Sequence, residues 1–287
     1  MKSNSEHGFV LVAVIWLCGL IAALTIGLAT RVRIDTLATT HAIHDAEAGL
    51  AADGLLRLAA WRLATKPGEL EEKGVETYCL WRLGTIAGVT IQDQTGLIDL
   101  NTVPPAIALD LFKSLGAPVD QASQLSSELI DYRDADSEKQ GGGTEPVLYA
   151  NAIQGPKNAA LEAKEEIDQL PSMTDELYHR LLPLVTVHSG QAGIDPASAP
   201  AALRQAFGQS REGTFKGQLA DYAAPSPQLS YAIRVRIWTN NPTPHVKEAV
   251  AVMLRQPERP FAFLTWQRLH VNGDSKLRAL PTNTCFN

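Results

Sequence analysis

From Phe9 to Thr30 the chain reads FVLVAVIWLCGLIAALTIGLAT, 22 residues without a charge. At about 1.5 Å per residue that run predicts roughly 33 Å of helix, enough to cross a hydrocarbon core of roughly 30 Å. A secretory signal peptide has an apolar region of only about 7–15 residues ending at a small-x-small site, so the run is too long for that. Beyond it, Arg31 to Lys66 is rich in Ala and Leu, holds no proline, and stops at Pro67-Gly68, a helix-ending pair. Leu50, Leu55, Leu58, Ala59 and Leu63 are spaced to keep one stripe apolar. The pattern predicts one helix from Phe9 to Lys66, with its first part in lipid and its second free to pack on a globular head. Lys2 precedes the span while Arg31 and Arg33 follow it, so the positive-inside count leaves the orientation open.

After Pro67-Gly68 the period changes to two. Val75–Leu83 and Val89–Gln92 read as short strands. Far downstream, Tyr231, Ile233, Val235 and Ile237 alternate with Ala232, Arg234, Arg236 and Trp238, a half-buried strand. Asn240-Asn241-Pro242 supplies a turn, and Val246–Leu254 and Phe261–Leu269 complete an antiparallel meander.

Between these strand groups, from about Asn101 to Gly208, the pattern turns helical. Pro104–Leu115, Val119–Tyr132, Thr174–Leu182 and Ala199–Phe207 are the expected helices. The segment repeats itself: IDLNTVP at 98–104 aligns with IDPASAP at 194–200. Each copy offers an aspartate, a hydroxyl residue able to cap a helix, and a proline near the first turn. The expected fold class is α+β: a type IV pilin-like long N-terminal helix plus an antiparallel sheet, with a large all-α domain inserted between strands. The expected boundaries are 1–8 for a leader, 9–30 for the membrane part of the stem, and 31–100 for its continuation with the first strands. The inserted domain takes 101–210, the closing strands 211–272 and a C-terminal tail 273–287.

Composition narrows the function. With 25 Lys+Arg against 31 Asp+Glu, the net charge of −6 disfavours a nucleic-acid partner. Helical hairpins of this kind can bind DNA backbones, but the basic loops that would meet phosphate are missing. Three cysteines are too few for a disulfide scaffold and lack zinc-site spacing. No G-x-S-x-G, H-E-x-x-H or P-loop motif is present, so the chain does not read as an enzyme.

The short polar leader Met1–Gly8 ends in Gly8 directly before Phe9 and the apolar helix. That arrangement resembles the type IV pilin class, whose leader is removed by a prepilin peptidase. The resemblance implies cleavage between Gly8 and Phe9 and methylation of the new Phe9 amine. Most members carry a glutamate at the fifth mature position; here that position is Ala13. One subclass lacks the glutamate.

The lines IQDQTGLIDLNTVPP, ELIDYRDAD, GGGTEPVLYANA and EEIDQLPSMTDELYHRLLPLVTV resemble the K-type minor pseudopilins of the type II secretion system, as do the closing strands SYAIRVRIW, AVAVML and FLTWQRL. The family usually has Trp where Tyr132 stands and Asn-x-Asn-Thr-Ala-Pro where IDPASAP stands. Membership implies a single-pass inner-membrane protein with a periplasmic globular part, capping a pseudopilus tip with the I-type and J-type minor pseudopilins. It further implies contact with the major pseudopilin, the prepilin peptidase and the inner-membrane assembly platform, in support of export of folded proteins across the outer membrane. A carboxylate at the depth of Ala13 is costly in lipid unless paired, and a tip subunit has no neighbour above to pair it. The alternative is a membrane-anchored periplasmic calcium-binding protein outside any fibre.

Asp131, Asp134, Asp136, Glu138 and Glu145 cluster around Gly141-Gly142-Gly143. From Asp134, acidic residues fall at positions 1, 3, 5 and 12, as in an EF-hand loop, although its sixth-position glycine is Lys139 here. Hard carboxylate oxygens suit Ca²⁺ better than Zn²⁺, and the family resemblance supports a structural Ca²⁺. A solvated acidic loop is the other reading. Glu162, Glu165, Glu166 and Asp168 are expected to form a solvated helix face, with a second ion site as the other reading. Cys18 lies in the apolar span, whereas Cys79 and Cys285, if periplasmic, could form a disulfide tying the tail to the first strand.

Overall fold

The computed structural model describes residues 6–66, 74, 76–81, 85–135, 157–206, 221–239, 243–269 and 285. Two compact units divide the chain, Met1–Ala51 and Ala52–Asn287. Helix α1 runs from Glu6 to Thr65 without a break. In the first unit its apolar residues from Val10 to Leu28 stay largely exposed, with Trp16 at 77 %. Apolar side chains left open along a helix are what a lipid-facing span requires.

From Ala52 onward the same helix has a buried side. Ala52, Leu55, Leu56, Ala59, Ala60 and Leu63 are all but inaccessible. Their three- and four-residue spacing places them on one stripe. Against that part of α1 lie the strands. Lys247 donates to Asp53 over 2.6 Å, and the Arg57 guanidinium sits 4.7 Å from the centre of the Trp266 ring.

Five strands form one antiparallel sheet: β1 (Glu76–Leu80), β2 (Ile86–Asp93), β5 (Ser230–Trp238), β6 (His245–Met253) and β7 (Phe261–Leu269), neighbours in that order. The alternation read from the sequence sets the faces. Val89, Ile91, Ile233, Val235, Ile237 and Ala249 are buried together on one side. The opposite side is polar, with Arg234 paired to Glu248 at 2.6 Å and Arg236 paired to Glu76. Between β6 and β7 the register shifts at Val250/Ala251, and Leu264 stands 55 % exposed at that irregularity. Cys79 is bonded to Cys285, with Cα atoms 4.8 Å apart, and the Cys285 N–H donates to the Leu80 carbonyl over 3.0 Å.

Between β2 and β5 the chain leaves the sheet. It passes through β3 (Ile98–Asp99), α2 (Pro105–Ser114), α3 (Val119–Arg133), α4 (Asp175–Leu181), β4 (Val185–Thr186) and α5 (Ala201–Ala206). Strands β3 and β4 pair in parallel, Ile98 with Val185 and Asp99 with Thr186. Helices α2 and α3 join through Gly116, whose φ of +97° favours a residue without Cβ. Ile107, Leu111, Phe112, Leu125, Leu129, Ile167, Leu181 and Leu184 build a second core there.

Sequence and structure differ in places. Of the expected first strand Val75–Leu83, Glu76–Leu80 form β1, while residues 75, 82 and 83 lie outside the described ones; the second lengthens from Val89–Gln92 to β2 because β5 pairs along its whole length. Thr174 is the cap of α4 rather than its first residue, its hydroxyl accepting the Leu177 N–H. Thr102 does not cap α2: Pro104 occupies that position, and the Thr102 hydroxyl donates to the Gln191 carbonyl over 2.7 Å.

Candidate functional site

Two regions carry the site residues singled out in the sequence, and a third emerges from the folded chain. The first is the apolar part of α1. One helix among the described residues is long and apolar enough to cross a membrane. Its polar side chains are satisfied internally, Thr25 donating to the Ile21 and Ala22 carbonyls and Thr30 to those of Ile26 and Gly27. That is the only way a hydroxyl avoids desolvation cost in lipid without a partner. Gly8 and Phe9 lie within the first turns of the helical backbone, and Ala13 sits on the exposed helix surface.

The second region is the C-terminal end of α3. Asp131 is buried and Asp134, the residue that caps the helix, is half-buried. Between them Arg133 donates to the carbonyls of Leu100 and Val103 at 2.6 and 2.7 Å. Burial lowers the Arg133 pKa, while Asp99 and Asp134 oppose the shift. Asp136, Glu138 and Glu145 lie outside the described residues. Among the described residues no group of three acidic, His or Cys side chains could hold a metal. The part of the loop on view therefore offers two hard carboxylates at a helix end.

Glu166 departs from the expected solvated face. It belongs to a 3-10 turn at Lys164–Gln169. Its carboxylate accepts from the Glu162 and Ala163 N–H groups at 2.8 and 3.0 Å, from Lys157 at 2.9 Å and from the Tyr132 hydroxyl at 3.4 Å. Periodicity alone could not separate it from Glu162, Glu165 and Asp168, which are exposed.

The third region was not singled out from the sequence. Where β2 hands over to the inserted helices, a run of buried polar side chains ties the two parts together. Asp93 accepts from the Thr95 N–H and hydroxyl at 3.0 and 2.6 Å, and from Ser226 at 2.6 Å. Gln94 accepts from Thr186, and Gln92 donates to the Ser198 carbonyl over 2.9 Å. Asp99 accepts from the Ser189 N–H and hydroxyl and the Gly190 N–H. The sequence echo has a local meaning here: Asp99 accepts from Asn101 N–H, and Asp195 from Ala197 N–H, two residues on in each copy. An Asp where the chain leaves a strand pairing, its carboxylate free to accept the backbone N–H two residues on, is the signal that marks such turns.

A cavity of about 290 Å³ opens beside this joint, between the polar face of the sheet and the insertion. Gln94, Thr186 and His188 line one side and Arg234, Glu248 and Thr265 the other. Burial lowers the His188 pKa, partly offset by Asp99 and Glu165.

Residues 92–190 match the first-domain model of the type II secretion system protein K family. That segment begins at the polar joint and contains α2, α3 and α4. The type II secretion system protein K of Pectobacterium carotovorum subsp. carotovorum is 36 % identical over 78 residues, 26 % of this chain and 24 % of that protein. The match thus spans about a quarter of the curated relative's length. A chain of the crystal structure of the GspK-GspI-GspJ complex from the enterotoxigenic Escherichia coli type 2 secretion system superposes with a TM-score of 0.63 at 17 % identity. It covers 81 % of this chain and 99 % of that one, which establishes the shared α+β fold. Residues 92–190 are thus similar to the first domain of type II secretion protein K, the family whose resemblance was read from the sequence.

Proposed function

We propose that this chain is a K-type minor pseudopilin: it initiates the tip of a type II secretion pseudopilus and supports export of folded proteins. The observation that carries this reading is the protein K domain set between β2 and β5 of an antiparallel sheet, in a chain with one lipid-length apolar helix. A subunit repeated along a slim fibre has another subunit above it, and a bulky insertion would obstruct that neighbour. Ala13 fits the same position, since a tip subunit has nothing above it to compensate a buried carboxylate.

The reading places the globular part in the periplasm and the helix in the inner membrane, with I-type and J-type minor pseudopilins as direct partners. Support for those partners is the complex in which the structural relative was solved. The major pseudopilin, the prepilin peptidase and the assembly platform follow as further partners. Peptidase processing would remove Met1–Gly8 and leave Phe9 as a methylated N-terminus.

Ca²⁺ belongs to the same reading. Asp131 and Asp134, with Asp136, Glu138 and Glu145, would hold it, and the ion would order the loop that leaves α3. A free-standing calcium-binding membrane protein is not favoured, because it accounts for neither the Gly8-Phe9 junction nor the fold shared with a secretion-system chain.

The deciding experiment extracts the chain from membranes, determines its N-terminal residue by mass spectrometry, and tests its recovery with tagged minor pseudopilins. Phe9 at the N-terminus and co-recovery of two minor pseudopilins are expected. A retained Met1 with no partner recovered contradicts the proposal.

A further inference from the structure

Four strands bring their side chains into one row across the polar face of the sheet. Thr90 on β2 pairs with Arg234 on β5, Arg234 with Glu248 on β6, and Glu248 with Gln267 on β7. The next row, two residues along, holds Gln92, Ala232, Val250 and Thr265. Residues two apart on a strand share a face and neighbouring strands lie about 4.8 Å apart, so the two rows make one floor. That floor is the sheet side of the cavity of about 290 Å³ beside the joint. Ala232 stands in the middle of its row, and its short side chain hollows the floor there. Opposite, the insertion supplies a wall that is apolar at Leu97, Pro183 and Val185.

The floor does not use up its own hydrogen bonds. Arg234 donates through Nε and Nη2 to one oxygen of Glu248, at 2.8 and 2.6 Å, which leaves Nη1 and the second carboxylate oxygen. The Thr265 hydroxyl accepts the Val250 N–H at 3.2 Å and keeps its own hydrogen to donate. The Thr90 hydroxyl and the Gln267 amide bond no other described residue. Donors and acceptors therefore stand side by side on the floor, since hydroxyl and amide side chains each supply both.

This arrangement selects among ligands. A hydrocarbon would strip water from these groups and return nothing. Charge disfavours an anion: Arg234 and Lys164 face Glu248, Glu162 and Glu165, and two positive charges against three negative leave one negative. Burial lowers the His188 pKa, so the ring adds no compensating charge near neutral pH. A cation would engage the acceptors alone and leave the Arg234 and Gln267 N–H groups unanswered. A neutral molecule whose groups each donate and accept, with a C–H face for the apolar wall, answers every side of the cavity.

We propose that this cavity is a binding site for an uncharged sugar, one ring in size, lying on the Thr90–Arg234–Glu248–Gln267 row over Ala232. Small-molecule pockets run from about 300 to 1,000 Å³, and this one falls at the lower end, which suits a single ring. Arg234 Nη1 and the free oxygen of Glu248 take neighbouring hydroxyls, and Thr90, Thr265 and Gln267 take the others. A free monosaccharide and the end unit of a glycan chain present the same groups.

The test is saturation-transfer nuclear magnetic resonance on the full chain in a polyoxyethylene detergent, so that no glycosidic headgroup competes. Glucose is expected to bind with a dissociation constant of about 1 mM, the strength a dozen heavy atoms can supply. Glucuronate, of similar size but anionic, is expected to bind far more weakly. Maltose binding more tightly than glucose identifies a chain end as the ligand, and equal binding identifies a free sugar. Ala232→Leu fills the hollow and is expected to abolish the signal with an unchanged melting temperature. Gln267→Ala, at an exposed position of β7, is expected to weaken binding roughly tenfold, and it decides the matter if Ala232→Leu fails to fold. Three results overturn the proposal: no transfer to glucose or maltose well above millimolar concentration, glucuronate binding as tightly as glucose, or glucose binding unchanged in both variants.

Discussion

Asp99 reaches Ser189, 90 residues further along the chain, through two hydrogen bonds of 2.9 Å to one carboxylate oxygen. The same oxygen takes the Gly190 N–H at 2.8 Å, while the other takes Asn101 N–H. The first strand of the insertion is thereby held to the loop that follows its last paired strand, β4. One buried side chain thus joins positions near both ends of the segment that matches the protein K family model.

Asp99→Ala should leave the Ser189, Gly190 and Asn101 donors, which are only partly shielded from water, without their buried acceptor. At roughly 1–3 kcal/mol for each unsatisfied group, a loss of about 3 kcal/mol in urea unfolding is expected. Asp99→Asn, which keeps an acceptor oxygen, should cost less. Equal losses for the two variants would argue against the hydrogen-bond explanation.

Gly96 passes so close to the Ser198 carbonyl that an added Cβ would overlap it. Backbone, not a flexible side chain, stands in the way, so Gly96→Ala should destabilise by about 1–3 kcal/mol, as overpacking does. Thermal denaturation of the variant beside Gly190→Ala separates this crowding from backbone strain. Gly190 has open space but a φ of +62°, so its cost is conformational.

Glu166 has a pKa below its ordinary value of 4.5. Burial pulls it upward, but the bond from Lys157 and the N–H groups of Ala163 and Glu162 outweigh that effect. A depressed carboxylate contributes stability that is present above the unfolded pKa and lost as pH falls through the folded one. Acidification below about pH 4.5 should therefore destabilise the wild type more steeply than Glu166→Gln. Parallel pH profiles for the two proteins would remove Glu166 from the account.

His188 is half-buried against the cavity beside the joint. Burial lowers its pKa from 6.5, with Asp99 and Glu165 pulling back. The unfolded chain then binds a proton more readily, so stability should rise with pH up to about 6.5 and fall as the pH drops below it. His188→Gln should flatten that part of the melting-temperature profile. An unchanged slope between the two proteins would mean the ring is solvated.

The calcium proposal is tested by chelation. Binding to the folded state alone stabilises by mass action, so a chelator should lower the melting temperature and added Ca²⁺ should restore it. Asp134→Ala and Asp136→Ala should remove most of that response, and Glu162→Ala should not. Identical melting with chelator and with millimolar Ca²⁺ would leave the loop a solvated acidic turn.

The sequence by itself determined the parts whose signal is periodic and local. A charge-free run fixed the membrane-length part of α1, and alternation at Tyr231–Trp238 fixed β5 with the faces it presents. Leu55, Ala59 and Leu63 announced the buried stripe; Leu50 and Leu58, read as part of it, are more open, because a helix period of 3.6 drifts off any short list of spacings. Gly116 and Pro118 likewise marked the α2–α3 turn. Tertiary structure decided what depends on partners distant in the chain. Thr102 read as a helix cap because such residues often are, yet Gln191 offers it a better acceptor. Glu166 read as one solvated carboxylate among four until Lys157 and Tyr132 folded onto it. Asp93 and Asp99 gave no periodic signal, since a side chain that satisfies donors 90 or 133 residues away is specified only by the closed chain. Cys79 and Cys285 stand 206 residues apart, and only the folded sheet brings their Cα atoms within reach.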